Sequence, residues 1–140
     1  MNVLPYVFFH GRGEEAIAFY QQALNAEVLM MLRFKDAPPN AGRAPEPGTE
    51  DKIMHATLQI GTSQLQLSDG DCGTTAVPHA GFSLSLNLDD AATGERCFQA
   101  LAQGGQITLP FQATFWSPGF GMLVDRFGIA WMVNVGRPNQ

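Results

Sequence analysis

Residues 18–24 read AFYQQAL, and residues 96–101 read RCFQAL. Each stretch continues a helical pattern that follows a short strand-like apolar segment. In both halves of the chain, three further strand-like segments come after the helix. Because the two halves show the same order of elements independently, we predict a duplicated module of the type βαβββ.

The periodicity of apolar residues also sets the expected bounds of the elements. In the first module, of about residues 1–70, we expect a helix at 14–24 and strands at 3–9, 27–34, 53–60 and 64–68. In the second, of about residues 80–137, we expect a helix from Asp89 or Asp90 to about 102 and strands at 82–88, 106–113, 121–124 and 130–135. The expected fold class is α+β, with one domain over residues 1–140.

Length, composition and charge exclude several classes of protein. The chain has 140 residues, of which 45% are hydrophobic and 15% are charged. No stretch reaches the roughly 18 consecutive apolar residues that span a bilayer, and the start lacks the pattern of a secretory signal. Eight basic residues against thirteen acidic ones give a formal net charge of −5, which opposes binding to a phosphate backbone. We expect a cytoplasmic protein without a nucleic-acid or membrane partner.

Two further features carry weaker expectations. Cys72 and Cys97 match no zinc or redox spacing, so we expect two reduced thiols. The Pro-rich segment 36–51 is long for a connection inside a compact domain, and such segments are commonly lids, partner arms or disordered. Arg43 within it is a candidate contact for an anionic ligand, although no spacing favours this over simple solvation.

Alternation gives several strands one apolar face and one mixed face. The mixed face of the third strand carries His55, Thr57 and Gln59. Such a face either lines a concavity that holds a small molecule or is simply solvated, as in many antiparallel sheets, and periodicity alone favours solvation. The candidate ligand-binding residues on the mixed faces are Gln59, Gln66, Ser83, Ser85, Met132 and Asn134.

Aromatic residues surround one turn of the second module. Phe115, Trp116 and Phe120 flank the sequence Ser-Pro-Gly at 117–119. Three aromatic residues around an exposed turn are suited to stacking on a flat ligand. Ordinary hairpin packing is the alternative interpretation, and the sequence leaves both open.

Titratable residues supply candidates for proton transfer. His55 lies on the mixed face of a predicted strand, where an imidazole acts as a base or a hydrogen-bond donor near neutral pH. Asp69 and Asp125 follow strands at turns and are further candidate bases, although Asp at a turn usually bonds its own backbone. His10 and His79 fall in predicted loops, where a surface or capping role is expected. We select His55 and Asp69 as the candidate catalytic residues.

Several motifs together resemble proteins of the vicinal oxygen chelate superfamily, and within it the PhnB-like branch. The closing run, residues 114–134, reads TFWSPGFGMLVDRFGIAWMVN, with a hairpin at Asp125-Arg126-Phe127-Gly128 before a final strand that contains Trp131 and Asn134. The other matching positions are Ala18-Phe19-Tyr20, Pro5-Tyr6 and Ser68-Asp69. The resemblance covers almost the whole chain. It implies two modules that form an open curved sheet, with helices on the outer face and a ligand cleft on the mixed face.

The resemblance also implies positions for a divalent metal, whose ligands in the superfamily are usually His or Glu. These positions correspond to Pro5, Gln66, Ser83 and Met132. Only Gln66 is a suitable ligand for a hard cation, whereas a catalytic metal needs about three protein ligands. We therefore expect no metal and no other cofactor, with a divalent metal as the alternative, and we do not expect glyoxalase I or extradiol dioxygenase activity.

These observations lead to three functional hypotheses. The first is a metal-free protein that binds a small aromatic or amphipathic molecule. The second is a glyoxalase-like lyase, isomerase or dioxygenase with a displaced site at His55, Gln66 and Asp69. The third is a protein-interaction module. PhnB-like sequences are sometimes named demethylubiquinone methyltransferases, but we find no glycine-rich turn with a following acidic residue that would seat an adenosyl cofactor. Superfamily members often dimerise, which predicts a homodimer.

Overall fold

The computed structural model describes residues 1–38, 47–70 and 77–136. The chain divides into two compact units, Met1–Ala76 and Val77–Gln140. The elements of the first unit are β1 (Tyr6–Phe8), α1 (Gly13–Leu24), β2 (Glu27–Arg33), a 3₁₀ turn (Phe34–Asp36), β3 (Ile53–Ile60) and β4 (Ser63–Ser68). Those of the second are β5 (Leu84–Leu88), α2 (Ala91–Ala102), β6 (Gln106–Gln112), β7 (Gly119–Val124) and β8 (Ala130–Val135). Within the described residues, no helix is long and apolar enough to cross a membrane.

The two units have the same topology. In the first, the four-stranded sheet has the order β1-β4-β3-β2, and in the second the order is β5-β8-β7-β6. In each, the first strand pairs with the last in parallel and the remaining pairs are antiparallel. The α+β fold class and the βαβββ order of both modules are confirmed.

The first unit has its core between α1 and the apolar face of the sheet. Ala16 and Tyr20 lie on the buried face of the helix and are inaccessible to solvent. Leu58 of β3 and Leu67 of β4 are also fully buried, as the alternation predicts. Burial of each large side chain stabilises the fold by about 1.5–3 kcal/mol, so this face is what holds the helix on the sheet.

The second unit repeats this arrangement with different packing. Asp90 accepts a hydrogen bond from the backbone N–H of Thr93 at 3.0 Å and caps α2, as one of the two predicted capping residues. The buried ring of Phe98 on α2 lies over Gly121 of β7, where an added Cβ would come within 2.6 Å of Phe98 Cε2. Glycine is therefore required at this position for the helix to approach the sheet closely.

Three predicted strands begin two or more residues away from their observed starts. The first strand is shorter than residues 3–9, because Pro5 has no N–H and the paired segment starts at Tyr6. The fifth strand begins at Leu84, the first residue that pairs with β8, so Ser83 lies before the strand instead of within it. The seventh strand begins at Gly119, two residues earlier than predicted, because Gly119 already pairs with Val135.

Candidate functional site

The mixed face of the first unit has a row of side chains that crosses all four strands. Tyr6 of β1 is opposite Gln66 of β4, which is opposite Thr57 of β3, which in turn is opposite Met30 of β2. At the next position of β1 on this face, Phe8 is opposite Ser68. The face therefore has aromatic residues at one edge, polar residues in the centre and an aliphatic edge at β2.

A chain of hydrogen bonds runs through this polar centre. Tyr6 Oη lies 2.9 Å from His55 Nδ1, and His55 Nε2 lies 3.1 Å from Thr57 Oγ1. A neutral imidazole has one donor and one acceptor, so a phenol that donates to Nδ1 leaves Nε2–H to donate to Thr57. Burial raises the pKa of the Tyr6 phenol, and a hydrogen bond with Ser68 acts in the opposite direction. Tyr6 is thus a neutral hydrogen-bonding group next to His55.

Tyr6 is a site residue that sequence reasoning missed. Its ring centroid lies 5.5 Å from that of His55 and 5.3 Å from that of Phe8, and the two aromatic side chains are 41% and 53% exposed. Alternation places Tyr6 and Phe8 on one face of β1, but only the parallel pairing of β1 with β4 brings them to the polar centre. Gln66 lies in this row, whereas Gln59 lies near the end of β3 and donates to Gly61 O at 2.8 Å.

Asp69, the second candidate catalytic residue, is enclosed by backbone donors. Its Oδ1 accepts from the N–H groups of Gly11 at 2.9 Å and Gly13 at 2.7 Å, and its Oδ2 accepts from Ile53 N–H at 2.7 Å. The side chain is 1% exposed. The carboxylate supplies a cap for the start of α1, since Arg12 makes no capping hydrogen bond with its side chain. This geometry gives Asp69 an architectural role, and its action as a base stays a prediction that the geometry does not favour.

Asp125 is held in a similar way in the second unit. Its Oδ1 accepts from Phe127 N–H at 2.9 Å and Ile129 N–H at 3.1 Å, and its Oδ2 accepts from Trp131 Nε1–H at 2.9 Å. The expectation that this aspartate bonds its own turn is confirmed. The indole of Trp131 is thereby fixed on the buried face of β8.

The aromatic turn, residues 115–120, is exposed as the sequence predicts. Phe115 is 98% exposed and Trp116 is 50% exposed. The ring centroids of Phe115 and Trp116 are 4.8 Å apart, and those of Trp116 and Phe120 are 5.4 Å apart, both in edge-to-face geometry. The three rings therefore form one continuous aromatic surface on the second unit.

The backbone beneath these rings is held in place by hydroxyl groups. Thr114 Oγ1 accepts from the N–H groups of Trp116 at 3.3 Å and Ser117 at 3.1 Å. The buried Ser117 Oγ lies 2.7 Å from Gly119 O and 2.5 Å from Val135 O, and it accepts from Gly119 N–H at 3.1 Å. A fixed backbone lowers the entropic cost of binding, because a ligand then has to order only the aromatic side chains.

The mixed face of the second unit lies beside the aromatic turn. Asn134 of β8 is opposite Asn87 of β5 on one side and Phe120 of β7 on the other. In the same way, Met132 is opposite Ser85. Of the predicted ligand-binding residues in this unit, Ser85, Phe120, Met132 and Asn134 share this face, whereas Ser83 is exposed before β5.

The donor atoms at the four expected metal positions do not fit a divalent cation. Proline has no side-chain donor, the methionine thioether is too soft, and a serine hydroxyl is a weak ligand, which leaves only Gln66. Elsewhere in the described ranges, no group of three His, Cys, Asp or Glu residues is placed to hold a metal. Arg43 and Cys72 lie outside the described residues, as does half of the Pro-rich segment, residues 39–46; Cys97 is a buried free thiol.

Comparisons with known proteins agree on the family of the chain. The family model described as 3-demethylubiquinone-9 3-methyltransferase matches residues 1–134. Protein YjdN of Escherichia coli (strain K12) is 37% identical, over 96% of this chain and 95% of its own length. Protein PA1353 from Pseudomonas aeruginosa has a crystal structure with a TM-score of 0.84 and 42% identity, over 96% of this chain and 97% of that chain.

More distant structures share the fold. A PhnB protein from Bacillus cereus, described as a putative 3-demethylubiquinone-9 3-methyltransferase, has a TM-score of 0.78 at 24% identity, with 97% of this chain and all of that chain (100%) covered. The fosfomycin resistance protein FosX from Listeria monocytogenes has a TM-score of 0.65 at 11% identity, with 99% of this chain and 95% of that chain covered. At these identities the likeness concerns the fold alone.

Proposed function

Since the chain belongs to the PhnB-like family described as 3-demethylubiquinone-9 3-methyltransferase, within the vicinal oxygen chelate superfamily, we propose that it binds a small planar molecule without a metal. The ligand is aromatic or amphipathic. Binding takes place on the mixed face of the second unit, beside the aromatic turn. The aromatic turn makes the principal contact.

The exposure of the aromatic turn is the observation that carries this proposal. A fully exposed phenylalanine beside a half-exposed tryptophan has no role in the core, and both lie on a backbone fixed by Thr114 and Ser117. Covering one such ring contributes about 1.5–3 kcal/mol, and favourable ring geometry adds about 0.5–1.5 kcal/mol. A flat ligand therefore gains most of its affinity here.

The mixed face of the first unit supports the same kind of ligand. Tyr6 and Phe8 present partly exposed rings, and Tyr6 Oη, His55 and Gln66 present hydrogen-bonding groups next to them. A few polar groups among apolar ones are typical of small-molecule sites, where the polar groups orient the ligand. A ligand suited to this face has a flat apolar part and at least one polar substituent.

Methyl transfer, which the description of the family names, is not part of the proposal. Adenosyl cofactors are commonly held at a glycine-rich turn between a strand and a helix, in a parallel sheet. Here Gly11 lies in the turn between β1 and α1 and Gly13 begins α1, but their N–H groups both donate to Asp69. A carboxylate of the chain already occupies these donors, and both sheets are mixed.

An enzyme at His55 is the second candidate function, and the bond between His55 and Tyr6 favours it. A lyase or isomerase of this kind would use the imidazole as the base, with Tyr6 as the group that sets which nitrogen carries the proton. The test is His55→Gln, which keeps hydrogen-bonding capacity but cannot take up a proton. Unchanged turnover of a substrate by this variant would refute the enzyme hypothesis.

We also propose that the chain forms a homodimer. Leu29, Met30 and Met31 are exposed on β2, which is an edge strand of its sheet. An exposed apolar edge strand is a ready surface for association. Light scattering coupled to size exclusion measures the mass directly. At a protein concentration of about 100 µM, even a weak interface is expected to form. A monomeric mass at that concentration would refute this proposal.

The aromatic turn is tested by ligand screening with NMR detection. The Nε1–H signals of Trp116 and Trp131 are recorded against a panel of planar metabolites; we expect binding to shift the signal of the half-exposed Trp116 more than that of the buried Trp131. Phe115→Ala is expected to weaken binding about 10-fold or more. Val77→Ala, which truncates another exposed apolar side chain, is the matched control. A panel that leaves Trp116 unshifted would refute the proposed function.

Metal dependence is tested by elemental analysis of untagged protein purified without chelator. We expect less than about 0.1 equivalent of transition metal per chain, because one suitable ligand is too few for a stable site. About one equivalent of bound metal would contradict the metal-free part of the proposal and would favour the enzyme.

A further inference from the structure

A polar atom without a partner lies on the mixed face of the second unit. Asn134 Oδ1 is shielded from solvent, and no hydrogen-bond donor of the described residues reaches it. Buried carbonyl oxygens almost always accept a hydrogen bond, because the oxygen loses its bond to water when it is buried. An exception on the face that carries the candidate ligand-binding residues therefore calls for a functional explanation.

The neighbouring amide does not supply this bond. Asn87, opposite Asn134 on β5, has its Nδ2 3.2 Å from Ser85 Oγ and 3.4 Å from Ser85 O. Its donor group is directed along its own strand instead of across to β8. The other neighbour, Phe120 on β7, has no polar side-chain atom. The pairing of the strands thus leaves the oxygen of Asn134 between an engaged amide and an aromatic ring.

Asn134 lies next to a residue of the aromatic turn. Phe120, the neighbour of Asn134, is in ring contact with Trp116 at 5.4 Å. We propose that Asn134 Oδ1 selects planar aromatic ligands that carry an N–H or O–H donor on the ring edge. The inference rests on the proposed function and specifies its ligand class. A ligand that stacks at the aromatic turn directs its edge donor to Asn134, while an otherwise similar ring without a donor leaves the oxygen unpaired.

The side chain has the freedom that such a contact needs. Asn134 is partly exposed as a residue, although its oxygen is shielded. The last torsion of an asparagine side chain has a broad energy minimum, so the amide turns toward a ligand at small cost. A ligand with a donor then forms a hydrogen bond to Asn134 Oδ1, which is no longer unpaired. This bond favours such a ligand over one without a donor.

Indole and 1-methylindole are the probes that separate these ligands. They have the same ring system, but the methyl group removes the N–H donor and adds apolar surface, so apolar contact alone favours 1-methylindole. By isothermal titration calorimetry of the full chain, we expect indole to bind about 5-fold more tightly, which is the contribution of one hydrogen bond. We expect Asn134→Leu to abolish this preference and to be at least as stable to urea as the wild type, because it removes a buried acceptor without a partner.

Asn87→Leu is the matched control, and it should keep the preference for indole because Asn87 is engaged with Ser85. Equal binding of the two probes to the wild type would overturn the inference and leave the proposed function standing. Binding of neither probe, with no shift of the Trp116 signal, would overturn the proposed function itself. A preference for indole that persists in Asn134→Leu, or a clear loss of stability in that variant, would also overturn the inference, since the oxygen would then have another role. The two probes are compared on the wild type, so the result of this comparison does not depend on whether a variant folds.

Discussion

Replacement of Asp69 by asparagine tests whether the role of this carboxylate is architectural or catalytic. The side chain keeps its shape in Asp69→Asn, but one of its two oxygens becomes an NH₂ group. In the wild type, Oδ1 accepts from Gly11 and Gly13, and Oδ2 accepts from Ile53. The best placement of the amide keeps its oxygen at the two glycines and turns the NH₂ group toward Ile53 N–H, where two donors face each other.

The expected cost follows from these contacts. The N–H of the fully buried Ile53 is left without an acceptor, which costs about 1–3 kcal/mol. The two remaining bonds weaken because a neutral oxygen replaces a charged one, and charge-assisted bonds are about twice as strong as neutral ones. Relief from burying a charge offsets part of this loss. We expect a net loss of about 2–3 kcal/mol, a large part of the roughly 5–15 kcal/mol that stabilises a domain.

Urea unfolding followed by circular dichroism measures this loss as a lower midpoint at an unchanged slope. Asp51→Asn is the matched control, because this carboxylate is exposed and pairs with the exposed Lys35 at 2.7 Å; we expect its midpoint to be unchanged. If Asp69→Asn had the midpoint of the wild type, the architectural role would be refuted. If that same variant also lost a catalytic activity, the role as a base would be established instead.

Three other changes test separate parts of the structure. Gly121→Ala is expected to cost about 1–3 kcal/mol in urea unfolding, because the added Cβ meets Phe98 at 2.6 Å, and a cost below about 0.5 kcal/mol would contradict the close packing. The raised pKa of the Tyr6 phenol implies stability that is present below pH 10.0 and is lost as the pH rises through the folded-state pKa. The wild type should therefore lose stability relative to Tyr6→Phe above that pH, and parallel profiles would argue against burial of the phenol. Burial also raises the pKa of the Cys97 thiol, so in a Cys72→Ser background a disulfide reagent at pH 8 should react at least about 10-fold faster after addition of urea; equal rates would show an accessible thiol.

Much of the candidate site could be predicted because alternation in a strand is a local property. The pattern of β3 places His55 and Thr57 on one face, and the structure joins them at 3.1 Å. The sequence also identified the aromatic residues around Pro118 and Gly119, although it left ordinary hairpin packing open, and the structure exposes Phe115 and Trp116. The hydrogen bond between Tyr6 and His55 was not evident, because it joins residues 49 positions apart through the pairing of β1 with β4.

The sequence by itself determined the order of elements, the duplication of the βαβββ module and the faces of its strands, because hydrophobic periodicity and glycine-rich turns act over a few residues. Tertiary structure alone decided which distant groups meet. Asp69 looks like a residue that bonds its own turn, yet it accepts hydrogen bonds from Gly11 and Gly13, 58 and 56 positions away. It does so because α1 begins without a capping side chain of its own and its N–H groups need an acceptor. The unpaired oxygen of Asn134 likewise follows from strand register, which no local pattern encodes.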